Sequence, residues 1–387
     1  MIGDLLRDDA EGALARFTRD LTADARAGRL EPVRCRDAEV SRVIDILLRH
    51  GKNNPTLVGP AGVGKTAIAE GFAQRIAAEA VPLTLRNVRL LSLDHVALLA
   101  GTTYRGQYEE RIRVIVAETT NAGDAILFID ELHNLIGQGT AMGTAMDAAN
   151  MLKPALVRGD FRVIGATTSD EYERWVEGDP ALERRFQKVV VRELGEPETL
   201  EILHARKERL ERHHNVLISD EALRASVSLT DRYVTDRMRP DKAIDALDEA
   251  CAHLQAVTVY SARTEELIKQ RIDLIKAEAK AEREAEEKEK EPKRGEGFNA
   301  FERFGAEIEA LFVGAPAPVA NGGGAQAPAA RPAPTPPPAP IVTLAPLEAN
   351  LARQLMEEGI VIRGHDVARV VGLMAGTVVE WESEPNA

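Results

Sequence analysis

The eight residues from Gly59 to Thr66, with the sequence GPAGVGKT, constrain this chain more than any other feature. They fit the pattern GxxxxGK[ST], in which backbone N–H groups and a helix N-terminus surround the phosphates of a nucleotide. The apolar run from Thr56 to Val58 precedes them, and a helical run from Ala67 to Ala80 follows. Because this is the strand–loop–helix context that the chemistry requires, the motif predicts a nucleotide-binding α/β fold with a parallel sheet.

Each residue type in this loop has a predicted use. Glycine lets the backbone curl around the β-phosphate, the Lys65 ammonium reaches the β- and γ-phosphate oxygens, and the Thr66 hydroxyl is offered to Mg²⁺. ATP and Mg²⁺ are therefore the predicted cofactors. The residues predicted to bind the nucleotide here are Gly59, Gly62, Val63, Gly64, Lys65, Thr66 and Ala67.

An acidic pair, Asp130 and Glu131, follows the apolar run from Ile126 to Ile129. Carboxylates at the tip of a buried strand are costly unless a metal or water satisfies them. We predict that Asp130 holds Mg²⁺ through water and that Glu131 polarises the water that attacks the γ-phosphate. Taken without the phosphate loop, such a pair could equally be a helix N-cap.

Between Glu39 and Glu193, short apolar runs alternate with longer helical stretches, which predicts a three-layer α/β domain. Beyond Pro197 the pattern becomes helical, and Pro240 is expected to begin one helix, so we predict a small all-helical lid domain. The five predicted strands are Thr56 to Val58, Val88 to Leu93, Ile126 to Ile129, Val163 to Ala166 and Val189 to Val191.

The flanking segments differ in composition. Charged and apolar residues alternate at helical spacing from about Asp4 to Arg29, which predicts one amphipathic helix ending near Gly28. Nine of the 20 prolines lie between Pro316 and Pro340, which predicts a disordered linker. The predicted division is an N-terminal helix (1–30), a large ATPase domain (31–195), a lid (196–258), a helical arm (259–312), the linker (313–340) and a C-terminal appendage (341–387).

The predicted arm has a short apolar stripe at Leu267, Ile268, Ile272 and Ile275. Such a stripe favours a helical hairpin or a coiled coil. A solvated single helix is an equal alternative for the second half, which is rich in Glu and Lys.

Composition argues against two classes of partner. A net charge of -13 and an aromatic content of 4% argue against a nucleic-acid surface, because phosphate binding needs a basic face and base stacking needs rings. No apolar run reaches the roughly 18 residues of a membrane span, so no membrane partner is expected. Only Cys35 and Cys251 are present, which predicts a reducing, cytoplasmic setting.

Seven stretches, in order along the chain, resemble the first ATPase module of the ClpB/ClpC family of protein-remodelling ATPases, which belongs to the AAA+ class. The resemblance extends over roughly 60% of the chain, from about Phe17 to Gln255. The stretches are Phe17–Thr22, Lys52–Pro55, Tyr104–Arg111, Asn150–Pro154, Gly165–Thr168, Ala181–Phe186 and Pro240–Asp245.

This resemblance implies further roles. Thr168 would be the sensor that contacts the γ-phosphate or the attacking water, and Arg184 and Arg185 would enter the nucleotide site of a neighbouring subunit. The subunits would form a ring homo-oligomer, expected as a hexamer. Tyr104, with Arg105 and Gly106, would line a central channel and grip unfolded or complexed protein substrates.

The chain departs from the family at several points. Arg34 and Cys35 replace an apolar residue and a glycine in the segment along the adenine, and neither the N-terminal repeat domain nor a second ATPase module is recognisable. The predicted function is a single-ring motor that threads polypeptide. The alternatives are a nucleotide-switched assembly factor that does not thread its partner and, least favoured, a nucleic-acid motor.

Overall fold

The structure, a computed structural model, describes residues 12–102, 105–137, 152, 154–156, 161–290 and 344–381. These residues form two compact units. The first contains the described residues up to Val257 and those from Val361 onward, and the second contains those between Thr258 and Ile360. The predicted linker at 313–340 lies outside the described residues.

The first unit is built on a six-stranded sheet with the order β1-β3-β4-β5-β2-β6. Strands β2 to β6 pair in parallel, while β1 pairs with β3 in the antiparallel direction. The strands are β1 (Thr18–Asp20), β2 (Asn54–Val58), β3 (Arg89–Leu93), β4 (Ala125–Ile129), β5 (Val163–Thr167) and β6 (Phe186–Val190). The five strands predicted from the sequence correspond to β2 to β6.

Helices cover both faces of this sheet. Alternate residues of β4 point to opposite sides: Leu127 and Ile129 join one buried cluster, and Ile126 and Phe128 join the other. Both faces are buried, which explains the uninterrupted apolar run. The helices are α1 (Ala13–Phe17), α2 (Leu21–Arg26), α3 (Asp37–Leu47), α4 (Lys65–Ala77), α5 (His95–Leu99), α6 (Arg105–Ala122), α7 (Leu132–Gly137), α8 (Ser169–Tyr172) and α9 (Pro180–Glu183). The predicted three-layer fold is confirmed.

The prediction of one amphipathic helix from Asp4 to Arg29 is wrong in its described part. The chain there forms α1, the edge strand β1 and α2. Asp20 ends the strand and caps α2, because its Oδ1 accepts the backbone N–H of Ala23 at 2.8 Å. Residues with short polar side chains compete with helical backbone bonds in this way, which is why the helix breaks here.

Up to Val257 the lid contains three helices, α10 (Glu196–His214), α11 (Asp220–Tyr233) and α12 (Asp241–Val257), where the sequence predicted helical structure. It also contains a parallel pair of two-residue strands, β7 (Leu217–Ile218) and β8 (Val361–Ile362), so the lid is not all-helical. Such short strands leave no periodic signal in a sequence.

Residues after Val361 complete the lid. The helix α15 (Gly364–Ala375) buries Val367, Val370 and Val371 and packs against α11 and α12. After the helix, the indole of Trp381 lies against Gly364, and its Nε1 donates to Glu221 in α11 at 2.6 Å. The predicted appendage at 341–387 is therefore divided between the two units.

The second unit contains α13 (Ala262–Lys290) packed against α14 (Leu344–Glu357). Helix α14 buries a row of leucines at helical spacing, Leu347, Leu351 and Leu355. At the base of the pair, Glu358 accepts hydrogen bonds from the hydroxyls of Ser261 and Thr264. The apolar stripe of the predicted arm thus belongs to one long helix.

Candidate nucleotide-binding site

The candidate site is a cleft of about 530 Å³ beside the ends of β2, β4 and β5. Parallel strands bring their carboxyl ends to the same edge of a sheet, so the loops that follow them meet there. The phosphate loop, Asp130 and Thr168 line one side of the cleft, and Pro240 and Asp241 of the lid line another.

The glycines of the phosphate loop are required by its geometry. Gly62 and Gly64 have φ angles of +80° and +86°, in the left-handed region that favours glycine. A Cβ atom on Gly59 would come within 2.3 Å of the carbonyl oxygen of Val191, and one on Gly62 would come within 3.0 Å of Asp241. Side chains at these positions would therefore displace the loop from β6 and from the lid.

Lys65 lies over the loop at the start of α4. Its Nζ donates to the carbonyl oxygens of Gly59 at 2.9 Å and Pro60 at 2.8 Å. Burial lowers the pKa of Lys65, although Asp130, Glu171 and Glu131 oppose this change. The three carboxylates thus stabilise the charged form of Lys65, in addition to its hydrogen bonds with the loop carbonyls.

Thr66 and Asp130 are in direct contact, with Oγ1 of Thr66 donating to Oδ2 of Asp130 at 2.6 Å. A hydroxyl beside a carboxylate suits Mg²⁺, which prefers oxygen ligands and keeps several waters when it bridges protein and phosphate. The two side chains fit the predicted Mg²⁺ ligands, and the ion would neutralise charge on the phosphates there.

Glu131 is held in an unusual conformation. Its φ angle is +50°, which is costly for a residue with a side chain. Asn134 stabilises it twice: its Nδ2 donates to Glu131 Oε2 at 2.6 Å, and its backbone N–H donates to the Glu131 carbonyl at 2.8 Å. The sequence analysis missed Asn134, although its position three residues after Glu131 at a helix start is the available signal.

Thr168 immediately follows β5 and caps α8. Its backbone N–H and its hydroxyl both donate to Glu171 Oε2, at 3.1 Å and 2.7 Å. Thr167 Oγ1 donates to the same oxygen at 3.1 Å, and His133 Nδ1 lies 2.9 Å from it. Thr168 and Glu171 have the Thr-x-x-Glu spacing of a capping box, a signal that the sequence analysis did not use. No spacing rule connects His133, which follows β4, with residues that follow β5.

Arg36 also has a role in the site that the sequence did not predict. Its side chain is buried, its Nη2 donates to the carbonyls of Val63 and Arg192, and its Nη1 pairs with Glu39. The preceding Cys35 has a φ of +59°, in the left-handed region that favours glycine. Burial and the nearby Glu201 raise the pKa of Cys35 to about 11.

Arg184 and Arg185 lie at the opposite end of the strands. Phe186 pairs with Asn54 at the beginning of β2, whereas the phosphate loop follows Val58 at its end. Four residues of strand separate the two positions by roughly 13 Å. Within the described residues, the lining of the cleft does not include Arg184 or Arg185.

The predicted channel loop is only partly described. Tyr104 and the side chain of Arg105 lie outside the described residues. Gly101 on one side has a φ of +71°, and Gly106 on the other lies in the first turn of α6. Val96 and Leu99 of α5 are exposed just before this loop.

Comparison with known proteins gives the class of this module. Residues 55–194 match the AAA family, the ATPases associated with various cellular activities, and residues 195–296 match an AAA lid domain. The fold, the phosphate loop and the lid thus define an AAA+ ATPase module.

The module belongs to the ClpB/ClpC family. The chain is 50% identical over 273 residues to the chaperone ClpB of Aquifex aeolicus, covering 70% of this chain and 27% of that protein. It is 52% identical over 262 residues to ClpC of Staphylococcus epidermidis, an ATP-binding subunit of the Clp protease, covering 68% and 32%. A solved S. cerevisiae Hsp104:casein complex matches with a TM-score of 0.58 and 45% identity, covering 63% of this chain and 42% of that one. This chain spans roughly a third of the length of the curated relatives.

Proposed function

We propose that this chain hydrolyses ATP in a ring of identical subunits and uses that energy to remodel proteins by threading them through a central channel. In this proposal Lys65 and the loop amides hold the triphosphate, Thr66 and Asp130 hold Mg²⁺, and Glu131 accepts a proton from the attacking water. Glu131 and Thr168 line the same cleft, which supports their joint action on one water.

The position of Arg184 and Arg185 is the observation that supports assembly of the subunits into a ring. They immediately precede β6, at the end of the strands remote from the phosphate loop, so they are out of reach of the site in their own subunit. Arg184 is exposed and therefore accessible to a neighbour. A head-to-tail ring would bring this end of the strands to the next subunit's nucleotide, where a guanidinium stabilises charge as the γ-phosphate leaves.

Unfolded or complexed protein is the proposed substrate. The related Hsp104 has been solved in complex with casein. In our chain Tyr104 would contact the polypeptide, because an aromatic ring binds a backbone through apolar area without requiring a sequence. Both cysteines are free thiols, in keeping with the reducing cytoplasm that we propose as its setting. None of the described helices is long and apolar enough to cross a bilayer.

The test measures ATP hydrolysis with and without casein. Native protein should be stimulated by casein, Tyr104→Ala should lose that stimulation while keeping basal hydrolysis, and Tyr104→Phe should retain it as a matched control. If Tyr104→Ala and native protein respond alike to casein, threading by this loop is ruled out. A nucleotide-dependent partner interaction that survives Tyr104→Ala would instead support the assembly-factor alternative.

A further inference from the structure

The polar groups around the Glu171 carboxylate impose a direction on the hydrogen bond of Thr168. The Thr168 hydroxyl and N–H, the Thr167 hydroxyl and His133 Nδ1 all converge on one oxygen, Oε2 of Glu171. Burial raises the pKa of Glu171, but the hydrogen bonds from Thr168 and Thr167 outweigh it, so the pKa lies below its usual value. Glu171 is therefore an ionised acceptor at neutral pH.

An ionised carboxylate has no proton to give, so each hydroxyl bonded to it must be the donor. A threonine hydroxyl has one proton, and that of Thr168 is committed to Glu171 at 2.7 Å. The hydroxyl oxygen of Thr168 can therefore act toward the cleft only as a hydrogen-bond acceptor, through its lone pairs. Phosphate oxygens are also acceptors, so Thr168 cannot hydrogen-bond a γ-phosphate in this arrangement, whereas a water molecule can donate to it.

We propose that Glu171 is a positioning residue which fixes Thr168 as a hydrogen-bond acceptor, so that Thr168 holds the attacking water and not the γ-phosphate. The proposal rests on the proposed ATP hydrolysis and chooses between the two contacts that the family resemblance leaves open for Thr168.

The arrangement accounts for both protons of the water. One O–H points to Glu131 and the other to Thr168, which leaves a lone pair for the γ-phosphorus. The O–P bond forms as the bond from phosphorus to the bridging oxygen breaks, and ADP leaves with that electron pair. Glu131 takes one proton of the water and later releases it to solvent or product phosphate. Thr168 and Glu171 exchange no proton in this step.

A capping role alone would not require this convergence. Glu171 is the third residue of α8, where a carboxylate commonly accepts the N-cap N–H. The lid has a comparable box, in which Asp366 Oδ2 accepts the N–H of Arg363 at 2.8 Å. Asp366→Asn is thus a matched control for the loss of a capping carboxylate away from the cleft.

The decisive experiment measures two quantities in Thr168→Val, Thr168→Ser and Glu171→Gln: kcat for ATP, and the Kd ratio of ADP to a non-hydrolysable ATP analogue. We expect kcat to fall at least about tenfold in Thr168→Val and Glu171→Gln. The Kd ratio should stay within about twofold of the native ratio, because no contact to the γ-phosphate is lost. Thr168→Ser, which keeps the hydroxyl, should retain the native kcat. Asp366→Asn should also keep the native kcat while lowering the melting temperature.

A preferential loss of analogue affinity in Thr168→Val, by fivefold or more, would mean that Thr168 contacts the γ-phosphate and would overturn the proposal. Native kcat in a folded Glu171→Gln protein would overturn it as well. Melting curves establish folding, and Thr168→Ser keeps the test informative if Glu171→Gln is unfolded. Absence of turnover in the native protein would defeat the proposed function, yet the Kd ratios would still decide which group Thr168 contacts.

Discussion

The guanidinium of Arg36 joins the phosphate loop to the end of the sheet, because Nη2 donates both to the Val63 carbonyl and, at 3.0 Å, to the Arg192 carbonyl. Val63 lies in the loop and Arg192 just after β6. The same side chain is buried and pairs with Glu39 through Nη1 at 2.8 Å. The buried guanidinium therefore braces the phosphate loop against the end of the sheet.

Replacing Arg36 by Lys should destabilise the protein and weaken nucleotide binding. One ammonium cannot reproduce the planar fork, so at least one buried carbonyl loses its partner, at a cost of about 2 kcal/mol. Thermal melts and an ADP titration measure the two effects. Arg86→Lys is the control, because Arg86 is paired on the surface with Glu79 and its change should cost under about 0.5 kcal/mol. Equal melting temperatures for the two variants would contradict this role of Arg36.

The Cys35→Gly variant should be more stable than the Cys35→Ala variant. Its φ of +59° carries a cost for any residue with a Cβ, and glycine removes that cost. We expect Cys35→Gly to exceed Cys35→Ala in unfolding free energy by about 1 kcal/mol. The comparison between these two variants cancels the loss of the thiol. Urea denaturation measures the difference in unfolding free energy between the two variants. A more stable alanine variant would show that the strain is absent in solution.

Glu131→Gln should bind ATP and fail to hydrolyse it, whereas Lys65→Ala should lose binding. The amide of Gln keeps the size of the side chain but is not a proton acceptor of comparable strength, so turnover should fall by about a hundredfold or more. Lys65 is the cation of the phosphate loop that we propose for the β- and γ-phosphates, and its loss should raise Kd for ATP by at least about tenfold. Equilibrium binding and phosphate release separate the two defects. Native turnover in Glu131→Gln would remove Glu131 as the base.

Sequence reasoning succeeded where a residue's partner is near in the chain or where a motif fixes its context. The phosphate loop, the acidic pair and strands β2 to β6 were found in this way. It failed for β1, because a three-residue edge strand between two short helices has almost no periodicity. It also failed for β8 and α15, whose partners β7 and α11 lie more than a hundred residues earlier.

Within the site, the missed residues share one property: they act on backbone or on other side chains. Arg36 contacts carbonyls, Glu171 contacts threonine hydroxyls, and Asn134 contacts Glu131. Residue type alone does not distinguish such groups from ordinary surface charges or caps. Only the register of the parallel strands brings His133, after β4, next to Glu171, after β5.

Mixing two inactive variants tests whether Arg184 acts on the neighbouring subunit. Lys65→Ala has a defective site but intact arginines, and Arg184→Ala has an intact site but lacks one arginine. If Arg184 acts across the interface, an Arg184→Ala subunit whose site faces a Lys65→Ala neighbour receives an intact arginine. With equal mixing and free exchange, roughly a quarter of the interfaces would combine both intact parts, so hydrolysis should reappear. Action within one subunit would leave every mixture inactive, because each chain then lacks one necessary residue. The strand register, which places Arg184 at the far end of β6 from the phosphate loop, favours recovery.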